Sequence, residues 1–234
     1  MSELLAVFAR APELGRVKTR LCPPLTNEQA LELHTALVAD SLDHFGRVER
    51  PDLERGLFLS QPLLDPQDLT VPEAWTVSVQ ADGDLGRRLA SLFHSAFQRN
   101  VTRLVVLGSD SPTLPLEVIH EAFDELGRRK VVVGPAEDGG YYLLGASAWI
   151  PELFQNIEWG TAEVLSQTTA VLTGQKLDFT TLIRWYDVDR GKDLEKLRQE
   201  IDYLKRAAPE LVPVRVASVL PSSEAPEYTF DRDF

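Results

Sequence analysis

Short apolar runs alternate with amphipathic stretches along most of this chain. Leu4–Ala9 is apolar and predicts an opening strand. The next segment, RAPELGRVKTRLCPPLT, is broken by three prolines and a glycine and predicts a loop. Thr26 or Asn27 can cap a helix over about Glu28–Phe45, where Ala30, Leu33, Leu37, Ser41 and Leu42 share a face. Gly56–Leu59 and Trp75–Val79 predict short strands on either side of a loop at residues 61–73. Asp84 opens a helix to about Gln98, with Leu85, Leu89, Leu92, Phe93 and Ala96 facing inward. Further strands are predicted at Leu104–Leu107, Val131–Val133, Tyr141–Leu144 and Phe179–Ile183. Helices are predicted at about Leu116–Leu126, at Thr161–Leu172 and over a long stretch ending near Ala208.

Strands that alternate with helices of this length indicate right-handed βαβ units. The expected fold is α/β, a mostly parallel Rossmann-like sheet between two layers of helices. No composition break divides residues 1–207, so one domain is expected there. Residues 208–234 are proline-rich with little periodicity and predict an extended C-terminal arm.

The four-residue run Leu104–Leu107 stops at Gly108, and Ser109, Asp110 and Ser111 follow. A wholly apolar run of this kind reads as a strand buried on both faces, and ligands bind outside the carboxyl ends of such strands. Asp110 therefore stands at the mouth of a crevice, unless it or Ser111 simply caps the next helix. VVVGPAEDGGYYLLG (131–145) repeats the form: apolar run, glycine, exposed carboxylates.

Charge sharpens this picture. The net charge of −12 disfavours a nucleic-acid polymer or an anionic membrane as partner. Against it, Arg10, Arg16, Lys18 and Arg20 crowd a single loop with one acid, Glu13. A cationic loop after the first strand suits a small phosphorylated ligand, although a solvated basic loop reads equally well. Gly15 can turn the backbone there. If the segment is extended, Lys18 points away from its two basic neighbours, as an exposed lysine that contributes little to stability. No run of apolar residues is long enough to span a bilayer. Cys22 is the only cysteine, which excludes an intramolecular disulfide and fits a cytoplasmic location.

FARAPELGRVKTRL, QADGDLGRRL, GSDSPTLP, GPAEDGGYYLLG, IEWGTAEVLSQT and WYDVDRGKDL occur in this order over residues 4–200. The set resembles a family of bacterial glycosyltransferases, often described as a domain of unknown function. Some members are assigned to arsenosugar biosynthesis or linked to radical-enzyme pathways. The family resembles the nucleotide-diphospho-sugar transferase superfamily of GT-A fold, which also holds the guanylyltransferases of 2-phospholactate and molybdenum cofactor.

The resemblance implies residue roles. Arg10, Gly15, Arg16, Lys18 and Arg20 fall in the loop that holds nucleotide phosphates, Lys18 with a catalytic part. Gln80, Asp84, Gly86 and Arg88 fall where the base is commonly read. Asp110 and the late acid Asp187 match ligands of Mg²⁺ or Mn²⁺. Asp138 is implied as catalytic, and Gly139, Gly140 and Tyr141 line the sugar or acceptor. The implied partners are a nucleotide-sugar or NTP and a small-molecule acceptor, with a homodimer left open.

Three departures stand out. Ser109-Asp110-Ser111 has one acid where GT-A glycosyltransferases often have Asp-x-Asp. Arg87 replaces a usual acid, and Gly160 a usual serine. Glycosyl transfer is the first expectation and nucleotidyl transfer the alternative. A nucleotide-binding protein that has lost catalysis is a third, from another class. Asp189 is read as the cap of the last helix and Glu137 as solvated. His34, His44, His94 and His120 are read as surface or satisfied helix residues, and Trp159 and Trp185 as packing. Cys22 has no base partner and is not a nucleophile.

Overall fold

The computed structural model describes residues 2–221. Seven strands form one sheet: β1 (Glu3–Ala9), β2 (Leu53–Leu59), β3 (Thr76–Val79), β4 (Arg103–Gly108), β5 (Val131–Pro135), β6 (Tyr141–Ala146) and β7 (Phe179–Thr181). Their order is β3-β2-β1-β4-β6-β5-β7. Every pair is parallel except those of β6, which runs antiparallel to β4 and β5. The strand order reverses between β1 and β4, which is where an open α/β sheet leaves a crevice.

The period of two in β1 decides the layers. Leu5, Val7 and Ala9 pack under α1 (Asn27–Phe45) and α3 (Leu116–Glu125), among Val38, Leu42, Phe45, Ile119 and Phe123. Leu4 and Ala6 face α2 (Leu85–Gln98) and α4 (Val164–Gly174), among Leu89, Phe93, Ala96 and Leu172. The expected three-layer α/β/α sandwich is therefore the observed one. Asp84 caps α2 as predicted, accepting from Arg87 N at 2.8 Å. Leu85 is a correction: it is exposed at the open end of the sheet, because the helix begins beyond the strands that would cover it.

A third cluster joins Leu33 and Leu37 of α1 to Leu194, Leu197 and Ile201 of α5 (Gly191–Ala207). It takes in Val216 of α6 (Val214–Val219), so the expected extended arm is, up to residue 221, partly helical and packed. Asp40, 4% exposed, accepts from Val216 N and from Arg215 Nη1, both at 2.8 Å. Residues 222–234 of the arm lie outside the described residues. Asp40→Ala is expected to destabilise the protein by roughly 1–3 kcal/mol, because it strands the buried Val216 N–H and leaves Arg215 with Asp43 alone. A urea unfolding midpoint equal to the parent's would contradict this.

Candidate active site at the carboxyl ends of β1 and β4

A cleft of about 580 Å³ opens at the strand-order reversal. Ala9 and Arg10 form one wall, and Gly108, Ser109 and Asp110 another. Gln80, Asp84 and Arg88 stand at the start of α2, and Phe8, Leu85 and Trp159 supply apolar surface. Of the predicted site residues, Arg10, Lys18, Gln80, Asp84, Arg88, Asp110 and Tyr141 line it.

Lys18 departs most from expectation. Its backbone is left-handed (φ 49°) and its side chain is only 5% exposed. The ammonium lies 2.7 Å from Asp110 Oδ2 and donates to Val188 O at 2.6 Å. Arg16 points out, 77% exposed, and Arg20 pairs with Asp189 at 2.8 Å. The basic residues do diverge, but through a bend and not an extended segment. Asp189 is thus an ion-pair partner; Asp193 accepts from the backbone N–H groups of Asp189 and Arg190 ahead of α5.

Asp110 and Asp187, 77 positions apart, come together through Ser111. Ser111 Oγ reaches Asp187 Oδ1 at 2.8 Å and Tyr186 O at 2.9 Å, and Val188 N donates to Asp110 O at 3.0 Å. Burial raises the Asp110 carboxyl, but Lys18, with smaller help from His34 and Ser109, holds it below the usual carboxylate range. Asp187 goes the other way. Burial, then the negative charge of Asp110, push it up to about 7.

The raised Asp187 has a consequence for stability. The folded protein keeps the Asp187 proton up to about pH 7, whereas the unfolded chain releases it near 3.8. Stability from this group therefore falls as pH rises from about 4 to 7. Urea unfolding of parent and Asp187→Asn is expected to show a shallower decline in the variant over that window. Superimposable pH profiles would contradict the shift.

Other predicted residues serve as framework. Gln80 Nε2 donates to Phe58 O at 2.7 Å and Ala9 O at 3.2 Å, and its Oε1 accepts from Arg88. Its amide N–H groups tie strand ends together and are not free to read a base. Gly86 is small because Trp159 lies on it: a Cβ there would stand 2.1 Å from Trp159 Nε1. Gly86 and Arg87 belong to a neighbouring cleft on the far side of Trp159.

Gly139 (φ +92°) is likewise required by the protein, since a Cβ would stand 2.2 Å from Ala162 O. Gly140 N donates to Asp138 Oδ1 at 2.9 Å, so Asp138 closes this turn. Tyr141 presents its ring, edge-on to Trp159 at 6.3 Å, while its hydroxyl is buried. Glu137 is paired with Lys196 and not merely solvated. Gly15 lies outside the cleft wall, and Gly160 takes φ +82°. Thr161 Oγ1 accepts from Glu163 N at 3.2 Å in the turn ahead of α4, whose own N-cap, Glu163, makes no side-chain cap. His34, expected as a surface or satisfied helix residue, is buried, lines the cleft and meets Arg10 O through Nε2 at 3.0 Å, a contact with no local sequence signal.

Residues 47–161 match the profile of a family described as "Uncharacterized protein conserved in bacteria (DUF2064)". Over that span the chain is similar to this family. The DUF2064 segment runs from the approach to β2 as far as Thr161, and so includes the Asp110 turn and the Asp138 loop. No curated protein matches the sequence.

Among solved structures, one from Desulfovibrio desulfuricans G20 is provisionally named a nucleotide-diphospho-sugar transferase. It is 27% identical, with a TM-score of 0.79 over 94% of this chain and 97% of that one. CMP:2-keto-3-deoxy-manno-octonic acid synthetase, solved with CTP, is 12% identical, with a TM-score of 0.54 over 87% and 99%. A Mycobacterium tuberculosis H37Rv protein solved with manganese is 16% identical, with a TM-score of 0.51 over 84% and 98%. The fold is that of the nucleotide-diphospho-sugar transferases. Among the described residues, no helix is long and apolar enough to cross a membrane.

Proposed function

We propose that this chain is a transferase that moves a sugar from a nucleotide-diphosphate donor to a small-molecule acceptor. The observation that carries the reading is the Lys18–Asp110 ion pair in the cleft at the strand-order reversal, with Asp187 brought beside it through Ser111. The 27% identical D. desulfuricans protein, by its provisional name, supports it.

A carboxyl whose proton affinity is raised by burial and by the charge of a neighbouring carboxylate marks a site short of positive charge. Among the described residues, no three His, Cys, Asp or Glu side chains form a metal cage. Mg²⁺ and Mn²⁺ do not need one in such enzymes, since one or two carboxylates plus substrate phosphates suffice. Asp110 and Asp187 therefore fit a divalent cation, which would neutralise the charge on the leaving diphosphate.

The chain's own groups do the rest. Lys18 has three donor hydrogens, and Asp110 and Val188 O engage two of them, leaving one for a phosphate oxygen. Arg10 and Arg88 add positive charge along the cleft wall, and Phe8, Leu85 and Trp159 offer apolar surface to a base. The acceptor oxygen attacks the anomeric carbon as the bond from that carbon to the phosphate oxygen breaks. The acceptor's proton passes to the Asp138 carboxylate, and the nucleoside diphosphate departs.

Asp138→Asn tests that last role. Asparagine can still accept from Gly140 N, so the turn and melting temperature should hold. The expected result is a kcat loss of about 10²–10⁴ with nucleotide affinity intact. Parent turnover from a folded variant would remove Asp138 from the chemistry, and lost affinity would move it toward the metal.

A second reading, nucleotidyl transfer from an NTP with release of pyrophosphate, rests on one observation. The cation site takes one acid from the β4 turn and one from far along the chain, and not two from a single Asp-x-Asp. A thermal-shift panel of NDP-sugars and NTPs, with and without Mn²⁺, tests both readings. Stabilisation by NDP-sugars supports the first and stabilisation by NTPs alone the second. No response to either class would sink both.

A further inference from the structure

Three polar side chains run along one edge of α1 and meet the loops that build the cleft. His34, Ser41 and His44 are seven and three residues apart, spacings that keep them on one side of a helix. His34 Nε2 lies 3.0 Å from Arg10 O, and His44 Nε2 lies 2.7 Å from Leu114 O. Ser41 Oγ donates to Ser109 O at 3.1 Å. A carbonyl oxygen only accepts, so each imidazole must carry hydrogen on Nε2. Burial lowers both imidazoles from their ordinary value, partly offset by the carbonyls they meet, which favours neutral rings.

His34 is unlike the other two because it also lines the cleft. It is 3% exposed, and its Nδ1 is buried without a partner. An unpaired acceptor in a core costs roughly 1–3 kcal/mol, so a leucine of similar bulk would pack there more favourably. What leucine could not do is hold the Arg10 carbonyl. Arg10 is the first residue beyond β1, and Ala11 N is held from the opposite side by Ser60 Oγ at 3.1 Å. The start of the basic loop is thus clamped between α1 and the end of β2.

We propose that His34 is a positioning residue for the phosphate-binding loop, its Nε2–H fixing the Arg10 carbonyl against α1. The loop then leaves β1 on one course, and Lys18 arrives at Asp110 from one direction. Ser41 performs the matching task for the Asp110 turn through Ser109 O. One helix edge thereby sets the separation of the two walls. This rests on the transferase reading for its link to nucleotide, but the clamp itself can be tested apart from it.

The test compares His34→Leu, which removes the donor, with His34→Gln, whose amide restores an N–H of similar reach. The probe is whichever of UDP, GDP, CDP and ADP the parent binds best with Mn²⁺. The leucine variant should bind it about tenfold more weakly, and the glutamine variant within about threefold of the parent. Amide hydrogen exchange over residues 10–18 should quicken in the leucine variant and not over α2. A folded leucine variant with parental affinity and exchange overturns the proposal, as does a glutamine variant no better than leucine. If the parent binds none of the diphosphates, the functional reading fails and the exchange comparison alone decides the clamp. If the leucine variant does not fold, His34→Asn, too short to reach Arg10, replaces it.

Discussion

Asparagine in place of Asp110 is expected to abolish Mn²⁺-dependent nucleotide binding in a protein that still folds. The side chain is 36% exposed on a turn whose backbone is held by Val188 N and Ser41, so an isostere fits. A hard divalent cation, however, needs carboxylate charge, and Asp187 alone supplies half of it. Lys18 keeps Val188 O but loses its counter-ion, so a stability loss of roughly 1–3 kcal/mol accompanies the change. The substitution also removes the negative charge that helps to raise Asp187, so the decline of stability between pH 4 and 7 should flatten. Calorimetric titration of nucleotide with and without Mn²⁺ checks the first expectation. Equal metal-dependent affinity in variant and parent removes Asp110 from the site.

Lys18→Ala should produce a different profile, because Lys18 is a buried strut and not the exposed lysine its loop suggested. With the ammonium gone, the Asp110 carboxylate loses the chief partner that opposes its burial, and Asp110 and Asp187 lose the cation beside them. Melting temperature should fall by several degrees without metal, consistent with roughly 1–3 kcal/mol. Saturating Mn²⁺ should restore most of that loss, since the cation takes over the neutralising role. Affinity for bare Mn²⁺ should hold or rise, while affinity for a nucleoside diphosphate falls because a phosphate donor is missing. A variant whose melting temperature ignores Mn²⁺ would show that these carboxylates do not form a cation site.

Comparing these two residues shows what the sequence could disclose. Asp110 was legible because a local signal places it: four apolar residues, then a glycine, then an acid. The caps at Thr26 and Asp84 were legible for the same reason, since capping is decided within four residues. The burial of Lys18 is set by Val188, 170 positions away, and no window around Lys18 contains that information. His34 escaped because its partner is the backbone of Arg10, which has no signature in sequence. The α6 contact with Asp40 was hidden likewise by a separation of 176 residues. Gln80 lines the cleft and Gly139 does not, and neither residue's contacts can be read from its neighbours in sequence. Both look like ligand contacts in a motif, and both are engaged by the protein itself.

The knot of Lys18, Asp110 and Val188 also bears on how the chain is made. Synthesis runs from the N-terminus, so β1, the basic loop and the Asp110 turn leave the ribosome while Val188 has still to be added. Until then Lys18 lacks the carbonyl that holds it at 2.6 Å, and Asp187 is missing from beside Asp110. A later clasp, Val216 on Asp40, joins residues 176 positions apart. A growing chain that has not reached residue 187 therefore displays the cationic loop without the carboxyl and the carbonyl that later join Lys18 and Asp110. The setting of Lys18 is therefore completed only when both ends of a span of 170 positions are present.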